Sequence, residues 1–134
     1  MEMMNGRVSE RSRKGHAMET LEAIKQRRSV RAYKPDMPAK ELVEKVIEAG
    51  IWAPTGMGQQ APVIVAITDK ALRDELSAMN AEIFGRPGTD PFYGAPVVLV
   101  VLADKTMPTH VYDGSLVMGN MMLAAYDLGL SSCW

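Results

Sequence analysis

The apolar residues of this chain fall into short runs with readable periods. Met18, Leu21 and Ile24 recur three apart, which predicts a helix over 18–27. Residues 32–35 read as extended. Pro38 stands where a helix can begin, and Leu42, Val43, Val46 and Ile47 form one apolar face that runs on to Ala49. Glu41 and Lys45 fall on the polar side as an i,i+4 pair. Residues 63–68 are apolar and β-branched and predict a buried strand. Asp69 then caps a helix whose face is Leu72, Leu76, Met79 and Ile83. Residues 97–103 predict a second buried strand, and 111–128 a very apolar helix carrying small residues at Gly114, Ser115, Gly119, Ala124 and Ala125. Gly129 is placed to stop it, and residues 130–134 begin a third strand.

Between these elements lie two segments without a period. Residues 53–62, APTGMGQQAP, hold two glycines and two prolines; residues 85–96 hold three of each. Both predict loops. The order helix, helix, strand, helix, strand, helix, strand describes an α+β or α/β layered domain. The helix 111–128 needs cover on most of its circumference. A partner subunit or a further C-terminal portion supplies it, unless the helix runs through the centre of a monomer.

Composition narrows the class. The chain has 134 residues, 47% hydrophobic and 23% charged, as one soluble globular domain should. A net charge of −1 and 6% aromatic residues argue against a nucleic-acid binder. No apolar run is long enough to span a bilayer, and no signal-peptide pattern is visible. A single cysteine excludes an internal disulfide framework and fits a reducing cytoplasm. Residues 1–17 carry Arg7, Arg11, Arg13, Lys14 and His16 with little bulky apolar material. They read as a disordered or poorly packed basic arm, or as an extension upstream of a natural start at Met18, with a domain over 18–134.

Candidate chemistry is concentrated in Arg27-Arg28-Ser29-Val30-Arg31. Three guanidinium groups this close repel one another, and an anion among them relieves the repulsion. Arg presents a planar fork of donors suited to phosphate, and Ser adds a neutral donor. The competing reading is a solvated basic helix end, since cations are favoured beside a helix C-terminus. In the 53–62 loop, Thr55, Gln59 and Gln60 offer neutral polar groups, and Gly56 and Gly58 let backbone approach a flat ligand; an ordinary connection has the same composition. Two histidines and one cysteine, with no carboxylate at ligand spacing, make a metal site improbable. Cys133 reads as a small buried hydrophobe rather than a nucleophile paired with His110. No side-chain acid, base or nucleophile is nominated.

Taken jointly, RRSVRAY at 27–33, APTGMGQQAP at 53–62, FYGAPVVLVV at 92–101 and DGSLVMGNMMLAAYDLGLSSCW at 113–134 resemble the flavin-dependent nitroreductase family. The resemblance implies an α+β layered domain, with a central, mainly antiparallel sheet flanked by helices. It implies a homodimer through helix 111–128 with FMN at the subunit interface and NAD(P)H as co-substrate. It assigns Arg27, Arg28, Ser29 and Arg31 to the FMN phosphate and ribityl region, and places Gly58 and Gln60 beside the flavin ring. Family members often carry Asn where this chain has Gly58, so recognition there falls to backbone. Members also continue well past the equivalent of Trp134, so the sequence resembles a shortened member. The implied activity is cytoplasmic hydride transfer from NAD(P)H through flavin to a nitroaromatic, quinone or similar small-molecule acceptor. The alternative is an impaired member acting as a dimerising or weakly flavin-binding protein.

Overall fold

The computed structural model of the chain describes residues 19–134, and the basic arm expected at 1–17 lies outside the described residues. The elements are α1 (Thr20–Gln26), α2 (Lys40–Ile51), β1 (Val63–Ile67), α3 (Lys70–Ile83), β2 (Val98–Leu102) and α4 (His110–Asp127), with a short 3-10 turn at Gly56–Gly58 between α2 and β1. Each helix and strand falls within two residues of its expected position. The caps explain the agreement. The Asp69 carboxylate accepts from the Leu72 amide at 2.9 Å and fixes the start of α3. At the end of α4, Leu130 N–H donates to Ala125 O and Gly129 N–H to Tyr126 O, with Gly129 at φ 78°. This is the glycine-terminated helix end that an L side chain resists.

The core is built on α4. Its buried stripe, Asp113, Val117, Met121 and Ala125, repeats every fourth residue. Val117, Met121 and Ala125 cluster with Val46 of α2 and Ala53, and Ile64, Leu99 and Val101 pack against them from the sheet. Burying Val117 and Met121 contributes about 2 kcal/mol each. Asn120 Nδ2 donates to Ala49 O at 3.0 Å and ties α4 to the end of α2. On the solvent side of α2 the ion pair that forms is Lys40–Glu44 at 3.5 Å, one position earlier than the expected Glu41–Lys45.

β1 and β2 pair antiparallel with Val63 opposite Leu102 and Ile67 opposite Val98. Side chains alternate across the ribbon, so Ile64, Leu99 and Val101 face the core while Val63, Val65 and Leu102 share the other face and are exposed. The expected burial of both strands is therefore corrected: Ile64, Leu99 and Val101 are half-buried on the core side, the other face is exposed at Val63, Val65 and Leu102, and Ile67 at the end of β1 is the one fully buried residue of the two strands. The third strand expected from residue 130 is also corrected. Among the described residues, this segment forms a single parallel bridge, Ser29 to Ser132, with Val30 N–H donating to Ser132 O at 3.1 Å.

The largest departure lies in α3. Of its expected apolar face, Leu72, Met79 and Ile83 are exposed and Leu76 is half-buried, and the buried stripe is Arg73, Ser77 and Ala81. A polar hub compensates the buried guanidinium. Asp90, in the loop after α3, accepts from Arg73 Nη2, from Ser77 Oγ at 2.7 Å, from Phe92 N–H at 3.0 Å and from Gly94 N–H at 2.7 Å. Arg73 Nε donates to Ala95 O at 2.9 Å, and its guanidinium lies 5.5 Å from the Phe92 ring centre. One side chain thus organises the 85–96 loop and fixes Tyr93 at φ 56°. Burial alone would raise the Asp90 carboxyl, but Arg73, Ser77 and the two backbone amides outweigh it and hold the group at about 2.

A carboxyl held below its ordinary value adds stability that is present above the unfolded value of 3.8 and is lost as pH falls toward 2. Asp90→Asn should lower unfolding stability near neutrality by about 2 kcal/mol. It should also flatten the acid limb between pH 4 and 2 in chemical-denaturation curves. An acid limb as steep as that of the unaltered protein would show that Asp90 is not the group responsible.

Candidate functional site

The arginine segment begins where α1 ends. Arg27 is the C-terminal cap residue, at φ −55° and ψ 145°, and its amide donates to Ala23 O at 2.9 Å. From there the backbone runs extended, and Ser29 bridges to Ser132. The three guanidinium groups have different surroundings. Arg28 Nη1 donates to Lys25 O at 2.7 Å and to Arg27 O at 2.8 Å, satisfying carbonyls left open at the helix end. The side chains of Arg27 and Arg31 make no hydrogen bond or ion pair with any described residue. The basic-helix-end reading thus describes Arg28, while Arg27 and Arg31 keep their donor forks uncommitted within the described residues.

Beyond Arg31 the chain meets two other segments. The Gly94 Cα region lies against Tyr33 O, which would stand 4.0 Å from a side-chain carbon built there. Burial pushes the Tyr33 phenol up to about 12, with Cys133 and Tyr93 adding and Arg31 opposing. This phenol is a neutral hydrogen-bonding group throughout the physiological range and no candidate for a base. Cys133 is half-buried.

The 53–62 loop is built differently. Met57, Gly58 and Gln60 all sit in the left-handed region, at φ 52°, 66° and 50°. For Met57 and Gln60 that conformation costs about 1 kcal/mol each. Internal bonds hold the turn: Gly58 N–H to Thr55 O at 3.0 Å, Gln59 N–H to Gly56 O at 3.2 Å, and Gln60 N–H to Thr55 Oγ1 at 2.9 Å. The amides of Gly58, Gln59 and Gln60 are therefore spent inside the turn. What the loop can present is the Gly58 carbonyl, the amide side chains of Gln59 and Gln60, and the exposed thioether of Met57. A side chain at Gly58 would meet nothing within 4 Å, so the space above it is open. Gly56 N–H donates to Asp113 Oδ1 at 2.9 Å, and Thr109 Oγ1 donates to Asp113 Oδ2 at 2.8 Å.

The structure does not bring the two candidate segments together within one chain. The loop is fastened to the first turn of α4 at Asp113, whereas Tyr126 Oη, in its last turn, donates to Gln26 Oε1 at 3.1 Å, one residue before the arginines. At about 1.5 Å of rise per residue, these two attachment points are separated by about 20 Å along the helix. Sequence reasoning missed Asp113. The available signal was a carboxylate in the first turn of an otherwise apolar helix. Among the described residues, no three His, Cys, Asp or Glu side chains gather as a metal site, and no helix is long and apolar enough to cross a membrane.

The family model described as "Nitroreductase family" matches residues 24–134. A Bacteroides fragilis nitroreductase crystallised with bound FMN superimposes with a TM-score of 0.78 at 29% identity, over 87% of this chain and 69% of that one. A Desulfitobacterium hafniense nitroreductase with bound FMN gives 0.74 at 33% identity, over 84% of this chain and 66% of that one. The FMN reductase [NAD(P)H] of Bacillus subtilis is 29% identical over 84% of this chain and 46% of its own length. Relatives from Methanothermobacter thermautotrophicus and Archaeoglobus fulgidus are 28% and 30% identical, and the chain spans 60% and 66% of their lengths.

Because Arg28 serves the helix end, Arg28→Ala should lower stability by about 1 kcal/mol. Thermal unfolding measures this, and an unchanged midpoint would mean that the two carbonyl bonds contribute nothing net.

Proposed function

The chain belongs to the nitroreductase family, and on that footing we propose that it is an FMN-dependent oxidoreductase acting between NADH or NADPH and a nitroaromatic, quinone or similar acceptor. The observation that carries this reading is the pair of guanidinium groups of Arg27 and Arg31, four residues apart along one extended segment and without a hydrogen bond or ion pair among the described residues. Their donor set fits a phosphate monoester, and the Ser29 hydroxyl adds a neutral donor. Arg28 contributes by holding the carbonyl of Arg27, and so the direction in which the extended segment leaves α1. FMN, when bound, supplies the hydride chemistry, and the polypeptide binds and orients it. The open surface over Gly58 suits a flat ring, with Gln60 at its edge. Metal has no part in this reading.

The separation of the two segments along α4 supports a site shared by two chains, the arginines from one and the loop from the other. The face of α4 opposite its buried stripe offers the means. Tyr112, Leu116, Gly119 and Leu123 fall on it at helical spacing. Tyr112 and Leu116 are 71% and 47% exposed, and a side chain at Gly119 would meet nothing within 4 Å. A helix that is apolar on both faces, with a glycine on the outer one, fits close approach of a second copy. The proposed unit is thus a homodimer through α4. No nucleic acid or membrane enters the reading, and a cytoplasmic location is proposed.

Two measurements test it. Purified protein should show the visible absorption of oxidised flavin, bleached by NADH or NADPH. The double variant Arg27→Ala/Arg31→Ala should weaken FMN binding by at least about a hundredfold, roughly 3 kcal/mol for two charge-assisted anchors. Unaltered affinity would remove the phosphate assignment. Leu116→Arg should convert the dimer to monomer in sedimentation runs and release flavin with it; a dimer that persists would exclude this face of α4.

A further inference from the structure

The buried Asp113 carboxylate is not among the residues that the flavin reading uses, and yet it makes the closest tie between that site and the core. It is 3% exposed. Both of its oxygens are occupied, one by the Gly56 amide and one by the Thr109 hydroxyl, and no Lys or Arg pairs with it among the described residues. Its compensation is its place in the first turn of α4, where a helix favours negative charge. Among the described residues, the Gly56–Asp113 bond is the one hydrogen bond from loop 54–62 to another element; the remaining bonds of the turn are internal. The approach is also sterically selected. A side-chain carbon on Gly56 would lie 2.2 Å from Thr109 Oγ1, so only glycine lets the loop amide reach the carboxylate.

We propose that Asp113 is a positioning residue for the flavin site. Through Gly56 it fixes where Gly58 and Gln60 stand relative to α4, and Thr109 holds its second oxygen so that the carboxylate cannot rotate away. A turn with three left-handed residues and only internal bonds would otherwise sample other placements. If α4 also joins the two chains, the same carboxylate couples assembly to the geometry of the ring-facing loop. The inference rests on the flavin reading for its consequence, but its mechanical part stands without it.

The test uses the full chain with FMN as probe, and it reads amide hydrogen exchange as well as affinity. Asp113→Ala should speed exchange at residues 56–60 by at least about tenfold while β1 and β2 stay protected, and should weaken FMN binding by a similar factor. Asp113→Asn keeps an acceptor for the Gly56 amide and a donor for Thr109, and should restore both readouts to within about threefold. Gly56→Ala reaches the same end from the loop, at a half-buried turn outside the α-helices and strands, and should loosen 56–60 and weaken FMN binding as Asp113→Ala does. It carries the test if the Asp113→Ala chain does not fold. Exchange at 56–60 unchanged in both Asp113→Ala and Gly56→Ala overturns the proposal. So does a loosened loop with unaltered FMN affinity. Should the unaltered chain bind no FMN, the flavin reading fails by itself, and exchange at 56–60 alone then upholds or rejects Asp113 as the anchor.

Discussion

Met121 occupies the space that a side chain at Gly50 would need, 2.8 Å from its Cγ, and the Ile64 methyl lies 2.9 Å from the same point. That three-way contact sets how closely α2, α4 and β1 approach, and the remaining structure is arranged around it. Val46, Ala53, Val117 and Ala125 fill the space around this crossing. A glycine at one helix end and a flexible methionine opposite it is an efficient way to pack two helices and a strand, because the methionine adapts to an irregular gap that a branched residue would leave partly empty. Both candidate functional segments then inherit their positions from α4: the loop from its first turn, the arginines by way of α1 from its last.

The polar devices of this fold share one logic. Asp90 and Asp113 are single carboxylates, each placed where several backbone or hydroxyl donors converge, and each fastens a glycine-containing loop to a helix. They differ in how the charge is compensated. Asp90 faces a buried arginine, whereas Asp113 relies on a helix terminus and two neutral donors. The first arrangement makes the 85–96 loop sensitive to acid; the second ties the 54–62 loop to the orientation of α4.

The element boundaries were legible because they are written locally, in Asp69, in Gly129 and in the periods of the apolar runs. What escaped was every feature set by what lies opposite. The apolar positions Leu72, Met79 and Ile83 have helical spacing, but spacing does not reveal which face meets the protein. The Arg73–Asp90 attraction, formed across a loop, turned α3 the other way. The two valine-rich strands read as buried on both faces, since a continuous apolar run carries no alternation from which an exposed face can be read. Among the arginines, the sequence offered two readings of one cluster, and the structure divides them: Arg28 takes the helix carbonyls, and Arg27 and Arg31 do not. Asp113 was invisible because its partner, Gly56, is remote in the chain and contributes only an amide.

The outer face of the β-ribbon carries a consequence for handling the molecule. Val63, Val65 and Leu102 form a greasy strip on a sheet of two strands, whose outer backbone groups have no strand beside them among the described residues. Such a surface attracts any other strand that can zip onto it. Crowding therefore favours association at this ribbon, through its open backbone edges and through valines that face away from the core.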